Sequence, residues 1–286
     1  MCATPGKGFG HVPGSGEWNR IVGGRSVEFA EGRLLANQDG AIGWITFNQP
    51  DRLNAVRRDM WDALPEAVSS LLEGGVRAIV LKGAGDKAFI SGADIAEFDV
   101  QRFDAASNRS FTAAVSAATG SLIHAPVPTV AMIQGVCIGG GIVVSSACDI
   151  RICADNARFS VPAGRLGLAF ELDNLIRLQS LVGRGMAMEM LATARHYGAA
   201  EALRMGLVNS VVPVAKLEEA ASQLVTMMMA TAPLTFAAAK LASRVAVDPS
   251  LRETAQQAID RCFDSADFAE GRAAFHQRRQ PVFNGQ

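Results

Sequence analysis

The sequence predicts an α/β protein whose strands are joined by helical crossovers. Two observations carry this. A short β-branched run at 78–82 follows a helical-period segment, and the unit of strand, glycine-bearing loop and helix recurs at 129–148. Alternation of this kind over more than 100 residues argues for βαβ connections.

Before them, residues 27–35 and 41–47 read as strands separated by turn-prone Asn37, Asp39 and Gly40, which predicts a hairpin. Residues 57–73 place Met60, Trp61, Leu64, Val68, Leu71 and Leu72 near helical spacing and stop at Gly74 and Gly75. After the second loop, strands are predicted at 150–154 and 158–160. Beyond Leu175 the texture is helical at 184–192, 199–205, 216–230 and 234–246, and 262–283 reads as a polar helix carrying Phe263, Phe268 and Phe275. The expected organisation is a flexible, glycine-rich tail at 1–24, a core at 25–200 and a helical C-terminal region at 201–286.

Composition narrows the function classes. Hydrophobic residues make up 49% of the 286 and the net charge is -1, so a large core is available and no whole-chain attraction to nucleic acid or anionic membranes exists. No apolar run reaches the roughly 18 residues of a bilayer span. The five cysteines are odd in number and not at disulfide or zinc spacings, and the N-terminal stretch lacks the apolar centre of a secretory signal; a reducing, cytoplasmic setting is expected. The four histidines are dispersed, so no metal is expected. The phosphate loop GxxxxGK[ST], GxGxxG after a strand, the GxSxG elbow and HExxH are all absent.

Two glycine loops remain. In KAFISGADIAEF at 87–98 a strand ends at Ser91 and Gly92 and a helix is expected to begin near Ala93; in QGVCIGGGIV at 134–143 three glycines precede another helix. Each presents unpaired backbone N–H groups at a helix start, where the dipole favours negative charge. Two such donors aimed at one oxygen would form an oxyanion hole, each contributing roughly 2.7 to 4 kcal/mol of transition-state stabilisation.

The order and spacing of KAFISGADI, then QGVCIGGGIVVSSACDIRICADNARFSVP, then GLV at 206–208, with DRLNAV at 51–56 and EGRAAFHQRR at 270–279, resemble the enoyl-CoA hydratase/isomerase (crotonase) family over residues 27–286. The resemblance implies a crotonase-type spiral of ββα repeats with a C-terminal helical region that trimerises, giving a homotrimer or homohexamer. It implies acyl-CoA thioester substrates and no cofactor beyond the CoA of the substrate. Carried over to this chain, the oxyanion hole falls on the N–H groups of Ala93 and Gly140. Asp94, Ile95 and Ala96 match the stretch lining the CoA arm, with Ala96 standing where many relatives carry a lysine. Phe275 and Arg278 match positions that reach CoA at a subunit boundary.

The paired glutamates of the family's hydratases fall on Val143 and Ala163, neither of which can move a proton. Glu171 stands where dienoyl-CoA isomerases place an aspartate, and one carboxylate above the α carbon suffices for double-bond migration. Asp173 and Ser91 are secondary candidates. Structural alternatives stay open: Asp173 as a helix cap, Glu171 as a partner of Arg165 or Arg177. The sequence therefore points to enolate chemistry, as isomerisation or hydration. An acyl-CoA decarboxylase or hydrolase of the same superfamily and a non-catalytic CoA-binding subunit stand as alternatives.

Overall fold

The computed structural model describes residues 25–97 and 102–286; the expected tail at 1–24 lies outside the described residues. Strands β1 (Ser26–Phe29), β2 (Leu34–Asp39) and β3 (Ile42–Phe47) open the chain. The hairpin forms, with β2 and β3 antiparallel and Asp39 opposite Ile42. The expected strand at 27–35 is interrupted, because Ala30, Glu31 and Gly32 all adopt positive φ and turn the chain back between β1 and β2.

Helix α1 (Arg58–Glu73) buries Met60, Trp61, Leu64, Val68 and Leu71 on one face. Then come β4 (Ala78–Gly83), β5 (Ala88–Ile90), α2 (Ala105–His124), β6 (Thr129–Ile133), β7 (Val136–Ile138), α3 (Gly140–Ala147), β8 (Ile150–Ala154), β9 (Arg158–Ser160) and α4 (Leu172–Thr193). The chain therefore repeats strand, strand, helix. In each repeat the first strand joins a seven-stranded sheet of order β1-β2-β3-β4-β6-β8-β11, and the second joins a four-stranded sheet of order β10-β9-β7-β5. From β3 through β4, β6 and β8 to β11 (Ser210–Val212) the large sheet is parallel, as helical crossovers require. This is the spiral of ββα repeats.

The last third is less uniformly helical than its texture suggests. Short β10 (Tyr197–Gly198) and β11 interrupt α4, α5 (Ala199–Arg204) and α6 (Leu217–Met229). The boundary expected at residue 200 is crossed by β11, which pairs with β8, and by α6, whose Leu217, Ala221 and Val225 pack against Val80, Val130 and Ile152 on the large sheet. Further on, Lys240 on α7 (Pro233–Ser243) places Nζ 2.7 Å from Asp149, whose carboxylate also accepts the Thr129 N–H at 2.8 Å. The single polar helix expected at 262–283 is two helices, α8 (Arg252–Phe263) and α9 (Ala266–Gln277), because Ser265 takes an extended conformation and caps α9 through the Phe268 N–H. Among the described residues no single helix is long and apolar enough to cross a membrane.

Candidate active site

The site grows from the two glycine loops. After β5 the chain runs beside Val56: the Val56 N–H donates to the Gly92 carbonyl at 2.8 Å, and the Asp94 N–H donates to the Val56 carbonyl at 3.0 Å. A parallel bridge of this kind uses the groups of residues 92 and 94 on one side, so the N–H of Ala93 faces the other way. Gly92 holds φ of 129°, a conformation that only glycine adopts freely. The helix expected to begin near Ala93 is instead a single 3-10 turn, Ile95–Glu97, because the bridge keeps Ala93 extended and the Asp94 side chain accepts the Ala96 N–H at 3.1 Å.

In the second loop Gly139, with φ of 51°, is the N-cap of α3, and its own N–H is held by the Ser160 carbonyl at 3.0 Å. The first bond within the helix runs from the Val143 N–H to the Gly139 carbonyl, so the amides of Gly140 and its neighbours precede any intrahelical acceptor. The two loops meet. A methyl group built on Gly140 would lie 3.5 Å from the Ala93 nitrogen and 3.4 Å from Cζ2 of Trp61.

Both loops line a cavity of about 150 Å³ with apolar walls that include Trp61, Val115, Ile138, Val143 and Val161. Ser91, Ile95 and Ala163 line it as well, Ile95 at an exposed position. Among the described residues that line it, Glu171 is the single carboxylate. Glu171 is the N-cap of α4, yet its side chain makes no cap hydrogen bond and is turned to α2. Neither Arg165 nor Arg177 is its partner. It accepts a hydrogen bond from Asn108 Nδ2 at 2.9 Å, and Arg102 stands 3.9 Å away. Arg102 also donates through Nε to Asn108 Oδ1 at 2.8 Å and lies over the Phe111 ring. Burial lowers the pKa of this guanidinium from the ordinary arginine value, and the Glu171 carboxylate opposes that shift.

Other candidates fall outside the cavity lining. Asp94 is buried and pairs with Arg52 at 3.1 Å, so its carboxylate holds the loop. Ala96 and Asp173 are exposed, and Asp173, two residues into α4, is not its cap. Phe275, 81% exposed, lines a separate cavity of about 690 Å³ among the C-terminal helices, and Arg278 ends α9 with φ of 54°. Within one chain neither joins the cavity of Ala93 and Gly140. Sequence reasoning missed Arg102, Asn108, Phe111 and Thr112, because it placed no helix at α2. The available signal was Asp104 followed by Ser107, which form a reciprocal capping box at the helix start.

Two sheets wound through ββα repeats around a cavity floored by glycine loops define an α/β enzyme of the spiral type. The chain belongs to the enoyl-CoA hydratase/isomerase family, whose model matches residues 37–286. It is 32% identical to the short-chain-enoyl-CoA hydratase of Clostridium acetobutylicum over 86% of this chain and 95% of that protein. To the peroxisomal Delta(3,5)-Delta(2,4)-dienoyl-CoA isomerase of Arabidopsis thaliana it is 35% identical over 62% of this chain and 68% of that protein. An enoyl-CoA hydratase/carnithine racemase from Magnetospirillum magneticum superposes with a TM-score of 0.84 at 33% identity, covering 89% of this chain and 96% of that one.

Proposed function

We propose that the chain moves a double bond along an acyl-CoA thioester, with the enolate oxygen held by the N–H groups of Ala93 and Gly140 and the proton carried by Glu171. The observation that supports this reading is the close approach of the Ala93 nitrogen to Gly140, 3.5 Å from where a Cβ on that glycine would stand, beside a cavity whose one described carboxylate is Glu171. As the α proton leaves, charge builds on the thioester oxygen; fixed N–H donors at an apolar-walled cavity stabilise that charge without reorganising. The carboxylate that removes the α proton can return it at the γ carbon, so one acid–base group completes the reaction. Two-carboxylate hydration is disfavoured because Val143 and Ala163 line the same cavity and neither exchanges a proton. This chemistry needs proton transfer and enolate stabilisation alone, so the proposal assigns no cofactor beyond CoA.

Phe275 and Arg278 enter the proposal only through assembly. They would reach a CoA arm from a neighbouring copy in a trimer or a dimer of trimers.

The test is spectrophotometric. With 3-enoyl-CoA or dienoyl-CoA thioesters, absorbance should change as conjugation changes, and Glu171→Gln should lower kcat at least about 100-fold. An unaffected variant would remove Glu171 from the mechanism, and turnover confined to malonyl-type thioesters would move the assignment to bond-breaking chemistry.

A further inference from the structure

A second cavity, of about 410 Å³, opens where the end of α2 meets α7 and α8. It shares no lining residue with the cavity of Ala93, Gly140 and Glu171. Val115 on α2 lines that first cavity, and His124, at the end of the same helix, lines this one, about 13 Å farther along the axis. The volume falls in the range of small-molecule sites, roughly 300 to 1,000 Å³.

Its walls combine two chemistries. Ile123, Leu234, Leu241 and Ala258 supply apolar surface; His124, Lys240, Arg244 and Arg261 line it too, and no described lining residue is a carboxylate. Lys240 is already committed to Asp149 at 2.7 Å. Arg244 and Arg261 are not, since among the described residues neither side chain makes a hydrogen bond or an ion pair. Asp248, a carboxylate on which Arg244 acts, is itself engaged by Ser250, accepting from its N–H at 3.1 Å and its hydroxyl at 2.6 Å.

The cations stand close enough to act on one another. A helix C-terminus favours a protonated imidazole. His124 is nevertheless held below its ordinary pKa, first by burial and then by the positive charges of Arg244 and Lys240. An anionic oxygen seated among these groups offsets their repulsion and takes charge-assisted hydrogen bonds from the guanidinium groups. An inorganic anion would leave the apolar wall in water, whereas an anion with a hydrocarbon or aromatic body would cover it.

We propose that this cavity binds an amphipathic organic anion, its carboxylate or phosphate head at Arg244 and Arg261 and its apolar body against Ile123, Leu234 and Leu241. The site is separate from the proposed acyl-CoA chemistry and does not rest on it.

Calorimetric titration of the full chain with octanoate, octyl phosphate, 1-octanol and inorganic phosphate tests both halves of the site. At least one of the two organic anions should bind about tenfold or more tightly than 1-octanol and than inorganic phosphate, a difference of about 1.4 kcal/mol. The tighter of the two identifies the head group. Arg244→Gln and Arg261→Gln should each weaken that anion about fivefold or more without lowering the Tm. Ala258→Phe, which places a ring in the cavity, should abolish binding. Equal binding of octanol would show that charge is not read, and equal binding of inorganic phosphate that the apolar wall is not used; either result overturns the inference. So does the absence of binding by both organic anions, or binding that survives Ala258→Phe in a folded protein. Turnover of acyl-CoA thioesters by the Glu171 cavity is measured separately, so each reading can fail alone.

Discussion

Asn108 and Glu171, 63 residues apart in sequence, are joined by a hydrogen bond of 2.9 Å from Nδ2 to the carboxylate. The bond turns a carboxylate at the start of α4 toward the cavity instead of the helix it heads. Asn108 is itself aimed by Arg102, which donates to its Oδ1. On the proposed mechanism, in which Glu171 carries the proton, Asn108 is a positioning residue. Asn108→Leu is expected to lower kcat about tenfold with little change in thioester affinity, since misplacing a catalytic group costs rate before binding. In a Glu171→Gln background the same substitution should have almost no further effect on kcat, because both changes remove one unit. Additive losses would show that Asn108 merely supports the fold.

Gly140 offers a separate test of the paired amides. A Cβ there would stand 3.3 Å from the Gly92 carbonyl carbon and 3.5 Å from the Ala93 nitrogen, close but without severe overlap. Gly140→Ala is therefore expected to fold and to intrude between the two donors, lowering kcat about 100-fold, the scale of losing one oxyanion contact. The neighbouring Gly141→Ala should behave differently. Its Cβ would meet the Ile90 carbonyl oxygen at 2.6 Å, so that variant should lose thermal stability first. Unchanged kcat in a folded Gly140→Ala protein would remove the oxyanion assignment.

How much of this was visible in the chain can be argued from particular residues. Gly92 and Gly139 were legible because positive φ demands glycine, and their loops sit at strand ends that β-branched residues announce. Helix α2 was not, since AASNRSFTAAVSAATGSLIH is rich in alanine and serine and shows little contrast between its faces. The Glu171 partners were lost with it. Trp61 read as a core residue, and it is one; only folding shows that its indole nitrogen faces no acceptor.

The cysteines supply a chemical probe of the core. Burial pushes the thiols of Cys137, Cys148 and Cys153 up to about 12, so at pH 8 almost none is thiolate, the reactive form. In the native protein these three should resist iodoacetamide at pH 8 and become labelled together when the chain unfolds in guanidinium. Peptide mass mapping decides it. Rapid native labelling of any of the three would mean that the sheet around β7 and β8 opens locally.

The C-terminal segment should respond to acid in a defined direction. Glu270 on α9 is hydrogen-bonded by Arg279 at 2.7 Å and by the Val282 N–H at 2.9 Å, and these bonds, Arg279 first, lower its carboxyl pKa from 4.5 to about 2. Because the folded pKa is depressed, the stabilisation is complete above the unfolded value and is lost as the pH falls from about 4.5 toward 2. The difference in stability between the native sequence and Glu270→Gln, measured by urea unfolding, should therefore be largest at pH 6 and shrink as the pH drops to 3. Arg279→Ala should return the Glu270 carboxyl midpoint, followed by carbon NMR, toward its ordinary range. A gap that stays constant between pH 6 and 3 would show that Glu270 does not pin the chain end through its charge.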